Sequence, residues 1–273
     1  MSGIVLSGLF IYPIKSLGGL SLPAAELTPR GLRHDRRWLL VDERARFLTQ
    51  REHASMALLA LEAAYNGFIV RHRQRPDLPP LFVPFEASPD KTLFVRIWDD
   101  IVFAWRGAAE ADAWFSEALG QSCRLVYMSD MARREVEPAK NPPGTLVSFA
   151  DGYPYLLTSE ESLAQLNEKL AEPVPMDRFR PNLVVRGTAP DAEMSWQSLR
   201  IGAYDFRSVD GCGRCVVTTI DQATALKNPL REPLRTLATY RQQGSSIKFG
   251  QNVTGPAEGV VRVGDAVRVG GAG

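Results

Sequence analysis

Short extended segments, broken about every ten residues by turn-forming residues, constrain this chain more than any other feature. It carries 22 glycines and 19 prolines in 273 residues, a turn density that suits strands joined into a barrel or sandwich. Residues 4–15 (IVLSGLFIYPIK) read as a strand that Pro13 ends. Residues 20–27 form a second extended piece, and Gly31 begins a turn into a strand at 36–41. A polar turn at 42–46 precedes 47–49, and further strands are expected at 67–71, 92–97, 97–105 and 123–128, with 74–80 a plain loop. Residues 108–119 have helical spacing, closed by Gly120.

Residues 129–152 are polar and contain Pro138, Pro142 and Pro143, which predicts a linker. Beyond it, 153–157 is a strand. Thr158 and Glu161 have the spacing of a capping box at a helix start, and Leu163, Leu166 and Leu170 give the i, i+3, i+7 stripe of that helix. Strands follow at 182–185, 198–201, 204–209 and 216–220, then a short helix at 233–240. Residues 260–269 read as a hairpin turning at Gly264-Asp265. At about 150 residues per domain, the length corresponds to a little under two domains. The expected fold class is mostly β (α+β), with few short helices.

Lys plus Arg is 32 and Asp plus Glu is 31, a net charge of +1. That balance argues against a nucleic-acid or membrane-surface binder but leaves room for a local basic pocket. Three cysteines are too few for a disulfide framework and point to a reducing compartment. The first residues lack a basic leader and cleavage site, and apolar runs fall far short of the ~20 residues of a membrane helix. A cytoplasmic protein with no membrane contact is expected.

The most chemical stretch is Asp210-Gly-Cys-Gly-Arg-Cys215. A thioredoxin-like pair would place the second cysteine at a helix start, whereas a β-rich run, VVTTI, follows. A zinc site needs four ligands, and only Cys123, His34, His53 and His72 remain as candidates. A single activated thiolate beside Arg214 could ligate a soft metal or carry sulfur. Two buried, inert thiols are the fourth reading. Basic clusters at 33–37 and 178–182, Lys15-Ser16, and the helix start at Thr158-Ser159 could gather on one anion or be solvated surface. Phosphate-loop and dinucleotide fingerprints are absent, and so is H-E-x-x-H.

Seven segments occur in a telling order: Tyr12-Pro-Ile-Lys-Ser16, Gly31-Leu-Arg-His-Asp-Arg-Arg-Trp38, Arg178-Phe-Arg-Pro-Asn182, Cys212-Gly-Arg-Cys-Val-Val-Thr-Thr-Ile-Asp221, Arg231-Glu-Pro-Leu234, Phe249-Gly-Gln-Asn252 and Val263-Gly-Asp265. Over nearly the whole chain this resembles the MOSC proteins (molybdenum cofactor sulfurase C-terminal domain), in the branch with a MOSC N-terminal β-barrel domain that includes the amidoxime-reducing components. The resemblance implies a β-barrel-like first domain over 1–125 and a MOSC β-barrel over 128–271. It implies a Mo-molybdopterin cofactor, no need for pyridoxal phosphate, and reduction of small N-hydroxylated compounds such as amidoximes and N-hydroxylated bases. By the same resemblance Cys215 is the molybdenum ligand and catalytic residue. Lys15, Ser16 and Arg36 hold the pterin phosphate. Arg180, Asn182, Gly213, Arg214 and Asn252 make further cofactor contacts, with Thr158 and Ser159 beside them. Arg214 is expected to stabilise the Cys215 thiolate, and Asp221 to be a turn residue rather than a proton relay.

Some relatives append a [2Fe–2S] domain and others carry a membrane anchor. This chain shows neither, so electrons are expected from a separate protein of ferredoxin or cytochrome b5 type with its reductase. Two alternatives stand beside the reductase: a sulfur carrier holding a persulfide on Cys215, and a cofactor carrier without turnover. Residues scattered from 15 to 180 can share one ligand only if the N-terminal segment folds onto the C-terminal half.

Overall fold

The computed structural model describes residues 3–137 and 141–270. Met1, Ser2, residues 138–140 and residues 271–273 lie outside the described residues, and with them Pro138 of the expected linker and the end of the second expected domain. Among the described residues are nineteen strands and three α-helices: α1 (Ala109–Leu119), α2 (Glu160–Asn167) and α3 (Leu234–Arg241). The chain is mostly β, as expected. No helix among the described residues is long and apolar enough to cross a membrane.

The largest sheet runs Val267–Gly270, Ser198–Ile201, Tyr204–Gly213, Ser246–Thr254, Tyr155–Ser159, Leu183–Arg186, Val5–Ile11, Leu20–Ser21. Its pairs are antiparallel except Tyr155–Ser159 with Leu183–Arg186, which are parallel and joined through α2. A parallel pair needs such a crossover. Val5–Ile11 lies against Leu183–Arg186, with Leu9 opposite Leu183. Ala24–Thr28 pairs with Gly259–Arg262. Strand pairing thus crosses the expected 1–125/128–271 boundary twice, and the N-terminal segment does fold onto the C-terminal half.

A second sheet orders Trp38–Val41, Arg124–Tyr127, Asp100–Arg106 and Thr92–Ile97. Trp38–Val41 is buried throughout, as an unbroken apolar run requires when both faces are covered. Trp38 and Leu40 enter the main core, while Leu39 and Val41 enter a second core with Val95, Val126 and Phe149.

Several expectations need correction. Residues 260–269 are not a hairpin. Gly259–Arg262 pairs with Ala24–Thr28, and Val267–Gly270 pairs with Ser198–Ile201. The turn between them spends its backbone donors elsewhere: Val263 N–H on Pro23 O (3.0 Å) and Gly264 N–H on Leu6 O (2.8 Å). Residues 216–220 are not a strand but a 3-10 turn, Val216–Thr219. There Thr218 and Thr219 hydroxyls donate to the Cys215 and Val216 carbonyls (3.0 and 2.7 Å), a local competition with sheet formation. Strands at Leu59–Ala64 and Leu81–Pro84 were not anticipated. The described part of 129–152 packs rather than dangles. Val136, Val147 and Ala150 are buried together, and Arg134 donates to the Ser148 carbonyl (2.8 Å) and the Ala150 carbonyl (2.5 Å).

Candidate functional site: a cationic cavity holding Cys215

Strand Tyr204–Gly213 runs antiparallel to Ser246–Thr254, with Asp210 opposite Asn252 and Gly213 opposite Lys248. The pairing is irregular near its end, and a Cβ on Gly213 would lie 2.6 Å from Ser246 Oγ. Past it, Arg214 N–H donates to Ile247 O (2.7 Å), and Cys215 caps the 3-10 turn. This delivers Gly213, Arg214 and Cys215 to a cavity of about 280 Å³, close to the lower end of the ~300–1,000 Å³ usual for small-molecule sites. Lys15, Ser16, Arg36, Arg180, Asn182 and Asn252 line the same cavity.

Lys15 is buried. Its Nζ donates to Phe149 O (2.8 Å) and to Asp151 Oδ1 (2.5 Å). Burial pushes its pKa down to about 8 even though Asp151 works against the shift. Partial desolvation at the cavity wall would raise the Asp151 carboxyl, but Lys15 and Arg51 hold it below the usual carboxylate range. Arg51 donates to Asp151 Oδ2 (2.8 Å). Burial opposes the Arg51 charge, and Asp151 and Cys215 more than offset it, so its pKa is raised. Arg51 is thus a cation coupled electrostatically to Cys215. Arg214, expected in that role, donates instead to Cys212 Sγ (3.0 Å) and to Phe179 O (2.7 Å).

Arg36 donates to Asp35 Oδ2 (2.6 Å), Asn182 Oδ1 (3.0 Å) and Arg180 O (3.1 Å). Asn182 also accepts from Leu156 N–H (3.2 Å) and donates to Phe10 O (3.1 Å), so it ties three strands of the wall together. Asn252 donates to Asp210 Oδ1 (2.8 Å). Ser16, Arg36 and Arg180 have φ of 68°, 50° and 55°. Non-glycine residues seldom adopt this region, and such strain gathers at functional sites.

Thr158 and Ser159 do not line the cavity. Both are buried, with the Thr158 hydroxyl on Met176 Sδ (3.3 Å). Ser159, not Thr158, caps α2, accepting from Ser162 N–H (3.1 Å). The anion at this helix start is the protein's own: the Glu193 carboxylate accepts from Ser159 and Ser162 hydroxyls (3.0 and 2.7 Å). Asp221 is a turn residue, accepting from Ala223 and Thr224 N–H (3.0 and 2.9 Å) and from Arg178 (2.7 Å). No three of His, Cys, Asp or Glu converge to hold a metal among the described residues, so the four-ligand zinc reading has no site there. Thr49, Arg51, Asp151 and Tyr153 line the cavity without having been anticipated. Their signal was faint: Arg51 follows a polar turn outside any basic cluster, and Asp151 sat in an expected linker.

The MOSC N-terminal β-barrel domain model matches residues 3–122, and the MOSC domain model matches 145–268. The chain is 33% identical to mitochondrial amidoxime-reducing component 1 of Mus musculus over 276 aligned positions, 95% of this chain and 80% of that protein. It is 31% identical to the Homo sapiens protein of the same name, over 95% of this chain and 81% of that one. It is 32% identical to molybdenum cofactor sulfurase of Oryza sativa subsp. japonica over 92% of this chain, which spans 32% of that longer protein. The cavity thus forms where the two matched regions meet, and the chain belongs to the MOSC proteins with a MOSC N-terminal β-barrel domain, the family of the amidoxime-reducing components.

Proposed function

We propose that this protein binds Mo-molybdopterin in the Cys215 cavity and reduces small N-hydroxylated compounds, taking electrons from a separate ferredoxin- or cytochrome b5-type protein and its reductase. One observation carries the reading: a thiol opens onto a cavity where, among the described residues, five cationic side chains, Lys15, Arg36, Arg51, Arg180 and Arg214, meet a single carboxylate, Asp151. That carboxylate is already engaged by Lys15 and Arg51, which leaves positive charge for an anionic ligand. Arg180 Nη2 and Arg214 Nε are buried without hydrogen-bond partners. Unpaired buried donors are costly, and an anionic ligand would satisfy them. These residues fit a phosphate-bearing cofactor with a thiophilic metal.

Bound there, the cofactor supplies two-electron oxygen-atom chemistry suited to an N–OH group. The chain's own residues do the rest. Cys215 offers a soft thiolate ligand. Arg36 and Arg180 neutralise the phosphate, and the Lys15 ammonium, with its pKa near 8, keeps a proton at Nζ at neutral pH. Asn182 and Asp210 fix Arg36 and Asn252 through the bonds above. We place the protein in the cytoplasm, a reading its three unpaired cysteines support.

The test is turnover of an aromatic amidoxime by cofactor-loaded protein with a competent donor. The reading expects reduction that Cys215→Ser abolishes. Loaded protein that reduces no N-hydroxylated compound is a carrier without turnover. The likeness to a sulfurase favours a second reading, a persulfide on Cys215, which cyanolysable sulfur on Cys215 would support.

A further inference from the structure

Tyr12 touches both guanidiniums that the proposed function assigns to the cofactor phosphate. Arg36 Cζ lies 4.5 Å and Arg180 Cζ 4.2 Å from its ring centroid, within the ~6 Å over which a cation is drawn to an aromatic face. The ring is only 3% exposed, so water screens these contacts little. The backbone joins in. Tyr12 N–H donates to Asp35 Oδ1 (2.8 Å), and Arg36 N–H donates to Tyr12 O (3.0 Å). Asp35 is the carboxylate that pairs with Arg36 at 2.6 Å.

Two like charges sharing one small space repel. Burial pushes the Arg180 pKa down to about 10, and the Arg36 charge adds to the drop. Burial pushes the Tyr12 phenol up to about 12, so the ring is neutral and acts through its π face. Arg36 has an anionic partner in Asp35, whereas the buried Nη2 of Arg180 has no hydrogen-bond partner among the described residues.

We propose that Tyr12 is a positioning residue, an aromatic clamp that holds Arg36 and Arg180 together, aimed at the phosphate of the ligand. It rests on the cavity being an anion site, as proposed above. Its shape-filling role and its electronic role separate cleanly, because ring fluorination weakens the π face while leaving the ring in place.

The experiment is titration of cofactor-free protein with inorganic phosphate by calorimetry at low salt. It compares wild type, Tyr12→Phe, and variants with mono-, di- and trifluorophenylalanine at position 12, each repeated with Arg180→Ala. Tyr12→Phe should bind within about twofold of wild type. Affinity should fall stepwise with fluorine number, to about tenfold weaker for the trifluoro ring, and the dependence should flatten with Arg180→Ala. Phosphate binding that ignores fluorine number would overturn the clamp and leave the anion site standing. Wild-type protein that binds no phosphate would overturn the clamp and the anion site together.

Discussion

Cys212 and Cys215 lie three residues apart and face different partners. Cys212 Sγ accepts from Arg214 (3.0 Å), while Cys215 sits where Arg51 feels it. Cys215→Ser should therefore lose molybdenum retention, and Cys212→Ser should keep most of it. Equal loss would mean a two-thiol site. Asp151 yields a pH prediction. Its carboxyl is held below the ordinary value near 3.9, so the unfolded chain binds more protons in acid. The stability it contributes is complete above about pH 5 and drains away as pH falls. Its side chain is 54% exposed, so the effect is at most about 1 kcal/mol. Urea midpoints of Asp151→Asn at pH 6 and 3.5 should show a shallower acid loss than wild type, and parallel losses would refute the pairing. At this scale the sequence was informative where residues sat in motifs. Lys15, Arg36, Arg180 and Cys215 meet at one cavity despite wide separation. Arg51 and Asp151 were illegible because their roles exist only in the fold, neither lying in a basic cluster or in one of the ordered motifs.

Helix α2 shows how local signals mislead about roles. A helix start at 158–161 was readable, but Ser159 supplies the cap and Glu193, over thirty residues on, supplies the charge. No spacing rule finds a carboxylate that distant. Ser159→Ala should cost about 1–2 kcal/mol through the lost cap and the less satisfied Glu193. Because Ser159 is off the cavity, molybdenum per folded chain should stay unchanged, and a drop would assign it to cofactor binding after all. Gly250 has φ 75°, and a Cβ there would lie 2.7 Å from Leu157 O. Gly250→Ala should cost about 1–3 kcal/mol, read as a lowered urea midpoint. The VVTTI run shows the opposite failure: β propensity was right on average, but two threonine hydroxyls capture carbonyls within the segment and wind it into a turn.

Across the whole molecule, the strand class and the turn-rich layout were legible from periodicity, and the partners of the strands were not. Periodicity shows that a segment is extended, not what it pairs with. Hence the expected terminal hairpin is two strands in two sheets, and Val5–Ile11 belongs beside Leu183–Arg186. Such shared sheets predict one cooperative unfolding transition, seen as coincident far- and near-ultraviolet circular dichroism melts. Two resolved transitions would show that the halves are independent. The same interleaving brings Lys15 to Cys215, which is why the central claim concerns the joined molecule. Its most direct test is molybdenum per chain, with pterin fluorescence after oxidation, in protein made by a host that synthesises molybdenum cofactor. The account predicts near-stoichiometric molybdenum and pterin in wild type, loss of molybdenum in Cys215→Ser, and reduced content of both in Arg180→Ala. Wild-type protein without molybdenum or pterin under those conditions would contradict it.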